Sequence, residues 1–379
     1  MERVEHQEPG AKWSERYYLP AELPGCGEST GRGKLYSAVE DANTKPWETT
    51  GMSQSSQLDS LLRISDVSVA YTLPGTKVQA LDHVSLDIHQ NGHTIGIVGE
   101  SGSGKTTLGM TTMNLIEPPG MVTGGSVDFG GKDVLRMSAS DLRRYRWSQV
   151  SMVYQSAMNA LNPVKRVSDP LVEVIREHAG ARKPIANEQA LKLLSEVGIQ
   201  GDRANDYPHE LSGGMRQRVI IALALALSPK LLIADEPTSA LDVVVQRQIL
   251  SLLKREVTER GLSLIFITHE ISLLQGLVHD VAIMYAGEIV ERGPTETTLA
   301  RPLHPYTEML LATLLTMGTE RSIIEKRQRE APRDLQAGIP ATACKYSNRC
   351  KYVFERCRNE RPKLVEVEKG RWVACHKYS

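Results

Sequence analysis

Apolar and polar positions change their rhythm near residue 58. Residues 1–57 follow neither a two-residue nor a 3.6-residue period, and LPGCGESTGRGK and TTGMSQSSQ are rich in Gly, Ser and Thr, which predicts a mobile extension. From Leu61 the segment LLRISDVSVAY alternates apolar with polar residues as a half-buried strand does, and VQALDHVSLDI repeats the pattern. Three later stretches, TIGIVG, LLIAD and LSLIFIT, are short apolar runs bounded by turn or polar residues. Such runs suit strands covered on both faces of a parallel sheet. Between them, NEQALKLLSEVG and VVVQRQILSLLKREVTERG carry helical spacing and close near glycine. Alternating strands and helices predict an α/β domain, and no repeat of solenoid period competes with it.

Composition narrows the setting. With 379 residues, 41% hydrophobic and 24% charged, the chain can bury a large core, which argues against disorder throughout. No stretch approaches the roughly 20 apolar residues needed to cross a bilayer, and MERVEHQEPG lacks the basic-then-apolar order of a signal peptide. The expectation is a chain that stays in the cytosol. Its 45 basic and 45 acidic side chains balance, so no global field attracts nucleic acid or anionic lipid. The distribution is uneven: residues 321–379 hold 15 Lys/Arg against 7 Asp/Glu, and residues 1–56 hold 6 against 9.

Candidate chemistry begins after TIGIV. GESGSGKTT (Gly99, Glu100, Ser101, Gly102, Ser103, Gly104, Lys105, Thr106 and Thr107) follows that strand and opens a helix, the setting that a phosphate-binding loop requires. Its glycines let backbone N–H groups converge on phosphates, Lys105 supplies a point charge and Thr106 a ligand for Mg²⁺. KLLIADEPTSALD brings Asp235 and Glu236 to a strand's C-terminal end, where Asp235 can hold Mg²⁺ through water and Glu236 can orient or deprotonate an attacking water. LSGGMRQR, residues 211–218, sets Ser212, Gly213 and Gly214 at the start of another helix, a second anion cradle. One nucleotide does not need two cradles on one chain, so the second is read as serving a nucleotide held by another subunit.

In their order these motifs, with Gln155 in MVYQ and His269 in FITHE, resemble the ATP-binding-cassette ATPases from about Leu61 to about Ala312. The resemblance implies a cassette fold: a mixed-sheet core over about 58–318 with a helical subdomain over about 156–210, followed by a small Cys-containing extension over 319–379. It implies that Tyr71 stacks on adenine and that Gln155 contacts Mg²⁺ and relays to a membrane partner. Ser212 and Gly214 would reach the γ-phosphate of the opposing subunit, Asp242 would sit at the dimer contact and His269 would hold the γ-phosphate. Met215 departs from the commoner glutamine, as in peptide-type importers. A chromosome-type ATPase would separate Lys105 from Ser212 by far more than 107 positions, and ribosome-associated relatives usually carry two cassettes in one chain. RPLHPYTEMLLATL, residues 301–314, and YPHELSGGMRQRVIIALAL resemble the ATPase subunits of oligopeptide and dipeptide importers. That resemblance implies two membrane-spanning permease subunits, a second ATPase, an extracytoplasmic binding protein, a place on the cytoplasmic face of the plasma membrane, and no nucleic acid. Relatives carry peptides, nickel complexes or oligosaccharides.

Four of the five cysteines, Cys344, Cys350, Cys357 and Cys375, crowd the last 36 residues. In a reducing compartment, clustered cysteines read as metal ligands before disulfides. Zinc sites usually include a C-x2-4-C pair, which is missing here. A [4Fe–4S] cluster takes one thiolate per iron and suits the wider spacing, while Lys345, Arg349, Lys351, Arg356 and Arg358 would offset its charge. The cluster is favoured, and zinc or unligated thiols stay open. Cys26 reads as a bystander.

Overall fold

The computed structural model describes residues 60–90, 92–155, 160–239, 241–315 and 339–379. The extension predicted over 1–57, Cys26 included, and residues 319–338 of the tail lie outside the described residues.

Two sheets are built from the patterns above. β1 (Ser60–Leu73) and β2 (Thr76–His89) are long antiparallel strands, and the alternating burial of β1 buries Leu62, Ile64, Val67 and Val69 while turning Arg63 outward. β3 (Thr94–Val98) belongs to the second sheet, whereas β4 (Gly120–Phe129) and the two-residue β5 (Lys132–Asp133) complete the first in the order β2-β1-β4-β5.

The larger sheet adds β6 (Val150–Val153), β7 (Leu231–Asp235), β8 (Ser263–Thr268), β9 (Asp280–Tyr285) and β10 (Glu288–Pro294). β3, β7 and β8 are buried at every position, as their uninterrupted apolar runs require. β6, β7, β8, β3 and β9 run parallel, so their C-terminal ends share one edge. β10 turns back antiparallel to β9, which makes the sheet mixed.

The other side of this sheet is finished by the tail. β11 (Val365–Glu368) and β12 (Arg371–Val373) extend it beyond β10, with Glu291 opposite Val373 and Arg292 opposite Trp372. The final order is β11-β12-β10-β9-β3-β8-β7-β6. A strand edge that would otherwise expose unpaired N–H and C=O groups at β10 is thereby covered by the chain's own last residues.

Apolar side chains form two cores, one on each face of the large sheet. One packs between the two sheets around Leu62, Leu86, Ile97, Leu108 and Ile265. The other lies under the helices Asp169–Ala179, Lys183–Glu196, Gly213–Leu225 and Val243–Arg260, and reaches Tyr306 and Tyr346. The predicted glycine stops appear as left-handed residues: Gly198 (φ 81°) follows the second of these helices and Gly261 (φ 64°) caps the fourth. No described helix is long and apolar enough to cross a membrane.

Candidate functional site

The phosphate loop connects buried β3 to the helix Lys105–Thr112. Glycine is required at its two ends by close packing. A Cβ on Gly99 would stand 2.2 Å from the Met284 carbonyl oxygen, and one on Gly104 (φ 100°) would stand 2.4 Å from that of Ala80. Lys105 is buried, and its ammonium donates to the carbonyls of Gly99 at 2.8 Å and Glu100 at 2.9 Å. Burial lowers its pKa, and the nearby carboxylates of Glu236, Asp235 and Glu100 oppose that shift. The lysine therefore lies folded back along the loop, held by these two carbonyls and, at 3.5 Å, by the Ser103 hydroxyl. Ser101, Gly102, Thr106 and Thr107 fill the same turn and first helical turn.

Asp235 is the last residue of β7 and is 1% exposed. Burial raises its pKa, and Thr106 and Lys105 draw it only partly back. Neither carboxylate oxygen has a hydrogen bond of ordinary geometry. A buried carboxylate without partners is costly, so these two oxygens and the adjacent Thr106 hydroxyl form a donor set that fits a hard divalent cation.

Glu236 follows with φ 47°, a left-handed conformation that is strained for a side chain other than Gly. The backbone is held there by the Glu236 N–H donating to the Ile267 carbonyl at 2.9 Å, and the kink swings the carboxylate across the sheet edge. Gln155, two residues past β6, donates its amide to one Glu236 oxygen at 2.8 Å. His269, next after β8, sits with Nδ1 2.9 Å from the other oxygen. Three residues separated by up to 114 positions in the chain thus meet at the C-terminal ends of three neighbouring parallel strands.

The remaining predicted residues stand apart from this group. Tyr71 lies in β1 opposite Gly120, where a Cβ would be 2.6 Å from its ring, so the phenol packs across that glycine. Ser212 caps the helix Gly213–Leu225 by accepting from the Met215 N–H at 3.3 Å. Gly214 presses against Val245, which leaves no room for a Cβ. Ser212, Gly214 and Met215 line a polar hollow with Arg203 and Arg218, and no phosphate-loop residue contributes to it. Asp242 caps the helix Val243–Arg260, accepting from the N–H groups of Val244 and Val245 at 3.0 and 2.9 Å.

Cys344, Cys350, Cys357 and Cys375 line one cleft together with His304, Tyr346 and His376. All four are free thiols. Burial pushes the Cys344 thiol up to about 12 and raises those of Cys350 and Cys375 as well. Among the described residues no three His, Cys, Asp or Glu side chains converge as closely as one metal ion would need.

What the motifs did not foretell is the set of charges joining tail and cassette. Lys345 donates to Asp82 at 2.8 Å and faces Glu288 at 3.4 Å, and Arg361 pairs with the same two carboxylates. Arg371 and Glu291, both almost fully buried, meet at 3.4 Å. Arg349 forms a two-pronged pair with Glu100 at 2.7 and 2.8 Å. Only the basic excess of residues 321–379 hinted at these contacts.

Known proteins place this geometry. Residues 81–239 match the ABC transporter family, and residues 290–357 match the oligopeptide/dipeptide transporter C-terminal region. The chain is 38% identical over 318 residues to the dipeptide transport ATP-binding protein DppD of Escherichia coli, covering 83% of this chain and 96% of that one. It is 39% identical over 319 residues to the oligopeptide transport ATP-binding protein OppD of Salmonella typhimurium, covering 84% and 93%. Among solved structures, the dimeric ATP-binding cassette MJ0796 in a post-hydrolysis state bound to ADP and Pi aligns over 62% of this chain and 98% of its own, with 28% identity and a TM-score of 0.55. The chain belongs to the ABC transporter ATPases, in the group that carries the oligopeptide/dipeptide transporter C-terminal region.

Proposed function

We propose that this chain is the ATP-hydrolysing motor of an importer for peptides or related solutes. It would work at the cytoplasmic face of the membrane with two permease subunits, a second, homologous ATPase and an extracytoplasmic binding protein. The observation that carries the reading is the Gln155–Glu236–His269 group beside the phosphate loop, on a chain whose C-terminal region matches that of peptide transporters.

In this reading Gly99–Thr107 cradles the phosphates of ATP and Tyr71 stacks on its adenine. Glu236 accepts the proton of the attacking water, with Gln155 and His269 fixing its carboxylate from either side so that it points at one spot. His269 also reaches the γ-phosphate. Thr106, Gln155 and Asp235 would hold Mg²⁺, which supplies charge neutralisation between the phosphates. Ser212, Gly213 and Gly214 serve the nucleotide of the opposing cassette, which accords with their standing outside the phosphate-loop cluster. Docking on the permease falls to the surface near Gln155 and the helices that follow it.

Cys344, Cys350, Cys357 and Cys375 would hold a [4Fe–4S] cluster that staples the tail. Their shared cleft supports it, together with a spacing that lacks the short cysteine pair usual in zinc sites. The thiolates that burial disfavours would be stabilised by the positive irons.

One experiment tests the whole reading: anaerobic purification of the tagged chain from its own cell. The expected result is co-purification of two multi-span proteins and a second cassette, with about four irons per chain and broad absorbance near about 400 nm. Recovery with DNA or ribosomes instead would favour a soluble, non-transport ATPase of the same superfamily. Zinc at one equivalent would replace the cluster with a zinc staple.

A further inference from the structure

The second residue of the phosphate loop is an acid. Glu100 stands in a turn whose purpose is to collect the negative phosphates of ATP, so its carboxylate opposes that purpose unless a cation cancels it. Its backbone is inside the cradle: the Glu100 carbonyl accepts from Lys105 Nζ at 2.9 Å and from the Ser103 N–H at 3.2 Å. Its side chain leaves the cradle and meets the tail.

Arg349 takes both carboxylate oxygens, Nη1 to Oε2 at 2.7 Å and Nη2 to Oε1 at 2.8 Å. The pair is largely sheltered, with side-chain exposures of 19% and 21%, where screening by water is weak. The guanidinium is itself fixed by stacking, 5.7 Å from the centre of the Tyr285 ring and 5.9 Å from that of Tyr346. Those rings pack edge-on at 5.1 Å, and Tyr306 joins them at 4.8 Å from Tyr285. Tyr306 in turn accepts the Glu100 N–H on its hydroxyl at 2.8 Å. One acid of the phosphate loop is therefore gripped at its carboxylate and at its amide. The grips come from residues after the cassette's last strand, and Arg349 lies beside Cys350.

We infer that Arg349 is a positioning residue for ATP binding: it neutralises Glu100 and, with Tyr306, holds the first turn of the phosphate loop in shape. The C-terminal extension then completes the nucleotide site of its own chain. Arg suits the task better than Lys because its planar fork matches a carboxylate and stacks on aromatic rings.

The test measures ATP affinity of the full-length chain by displacement of a fluorescent nucleotide, together with KM and kcat. Arg349→Ala is expected to weaken ATP binding and raise KM by about tenfold with a much smaller change in kcat, the scale of a sheltered charge-assisted pair. Arg349→Lys should recover part of the loss. The decisive variant adds Glu100→Gln to Arg349→Ala: with the uncompensated charge gone, affinity should return to within about threefold of the parent. A merely structural tail residue would give no such rescue. ATP affinity unchanged in Arg349→Ala, or a double variant as weak as the single one, overturns the inference. Should Arg349→Ala not fold, Arg349→Gln with and without Glu100→Gln poses the same question, since glutamine keeps the length and hydrogen bonding without the charge.

Discussion

Two borders of the large sheet treat charge in opposite ways. At the C-terminal ends of β7 and β3, two buried ionisable groups are left without a matched charge: Asp235 has two unbonded oxygens, and Lys105 is held by neutral groups, the carbonyls of Gly99 and Glu100 and the Ser103 hydroxyl. Along the border finished by β12, buried charges are matched, Arg371 with Glu291 and Lys345 with Asp82 and Glu288. Burying an unpaired charge costs several kcal/mol, so a fold keeps one only where an outside group completes it. In the proposed function the first border is shaped by a ligand, whereas the second is matched within the chain and holds its own end. Arg349 joins the two, pairing a charge of the tail with one of the phosphate loop.

The comparison breaks most visibly at Glu236. Glu236→Gln keeps the shape and the contacts to Gln155 and His269 possible but removes the proton acceptor. Hydrolysis should fall by about 10²–10⁴-fold, as expected for loss of a general base, while ATP binding persists. Steady-state phosphate release and equilibrium ATP binding measured on the same preparation check this. Near-normal turnover would mean that the carboxylate at the ligand border is there for structure, like those on the other border.

The matched border is tested at Arg371→Met. Methionine fills much of the same volume without charge, leaving Glu291 buried with its hydrogen bonds from Leu303 and His304 N–H but no cation. The expected cost is about 3 kcal/mol, at the low end for breaking a buried pair because those bonds remain. Burial already raises the Glu291 pKa above its ordinary value, chiefly by desolvation, and losing Arg371 raises it further. A carboxyl whose folded pKa is raised stabilises the fold below its unfolded pKa and loses that contribution as pH climbs through the folded one. The deficit of the variant should therefore be larger at neutral pH than at about pH 5. Thermal unfolding at both values checks the sign, and a pH-independent deficit would mean that packing, and not charge, matters at this pair. ATP affinity should change less than stability.

The same contrast explains what could be read in advance. The phosphate loop, the acidic pair, Gln155 and His269 were legible because a phosphate ligand dictates residue types at short spacings next to apolar strands, which are themselves plain in the pattern. β3, β7 and β8 emerge where TIGIV, LLIAD and LSLIFIT stand. The tail gave no such signal. β12 is three residues, RWV, paired to a strand about 80 positions earlier, and so short a segment has no periodicity to detect. Arg349 was noticed as one of several basic residues near the cysteines, yet its partner lies 249 positions away in a motif already assigned to another purpose. Matched charges at long separation leave a compositional trace, here the basic excess, without an address.

The smallest effect separates two tasks within the ligand border. Asp242 was expected at the dimer contact, and in the structure its carboxylate also caps the helix Val243–Arg260 through the N–H groups of Val244 and Val245. Asn caps a helix about as well as Asp, and loss of a cap to Ala costs about 1 kcal/mol. Asp242→Asn should therefore leave thermal stability close to the parent, whereas Asp242→Ala should lower it by about that amount. If the charge also serves the dimer, both variants should weaken ATP-driven association of the Glu236→Gln protein, read by sedimentation, and to a similar degree. Association lost only in Asp242→Ala would assign the residue wholly to its helix. It would then belong with the side chains whose partners lie within the chain, although it stands on the border where ligands bind.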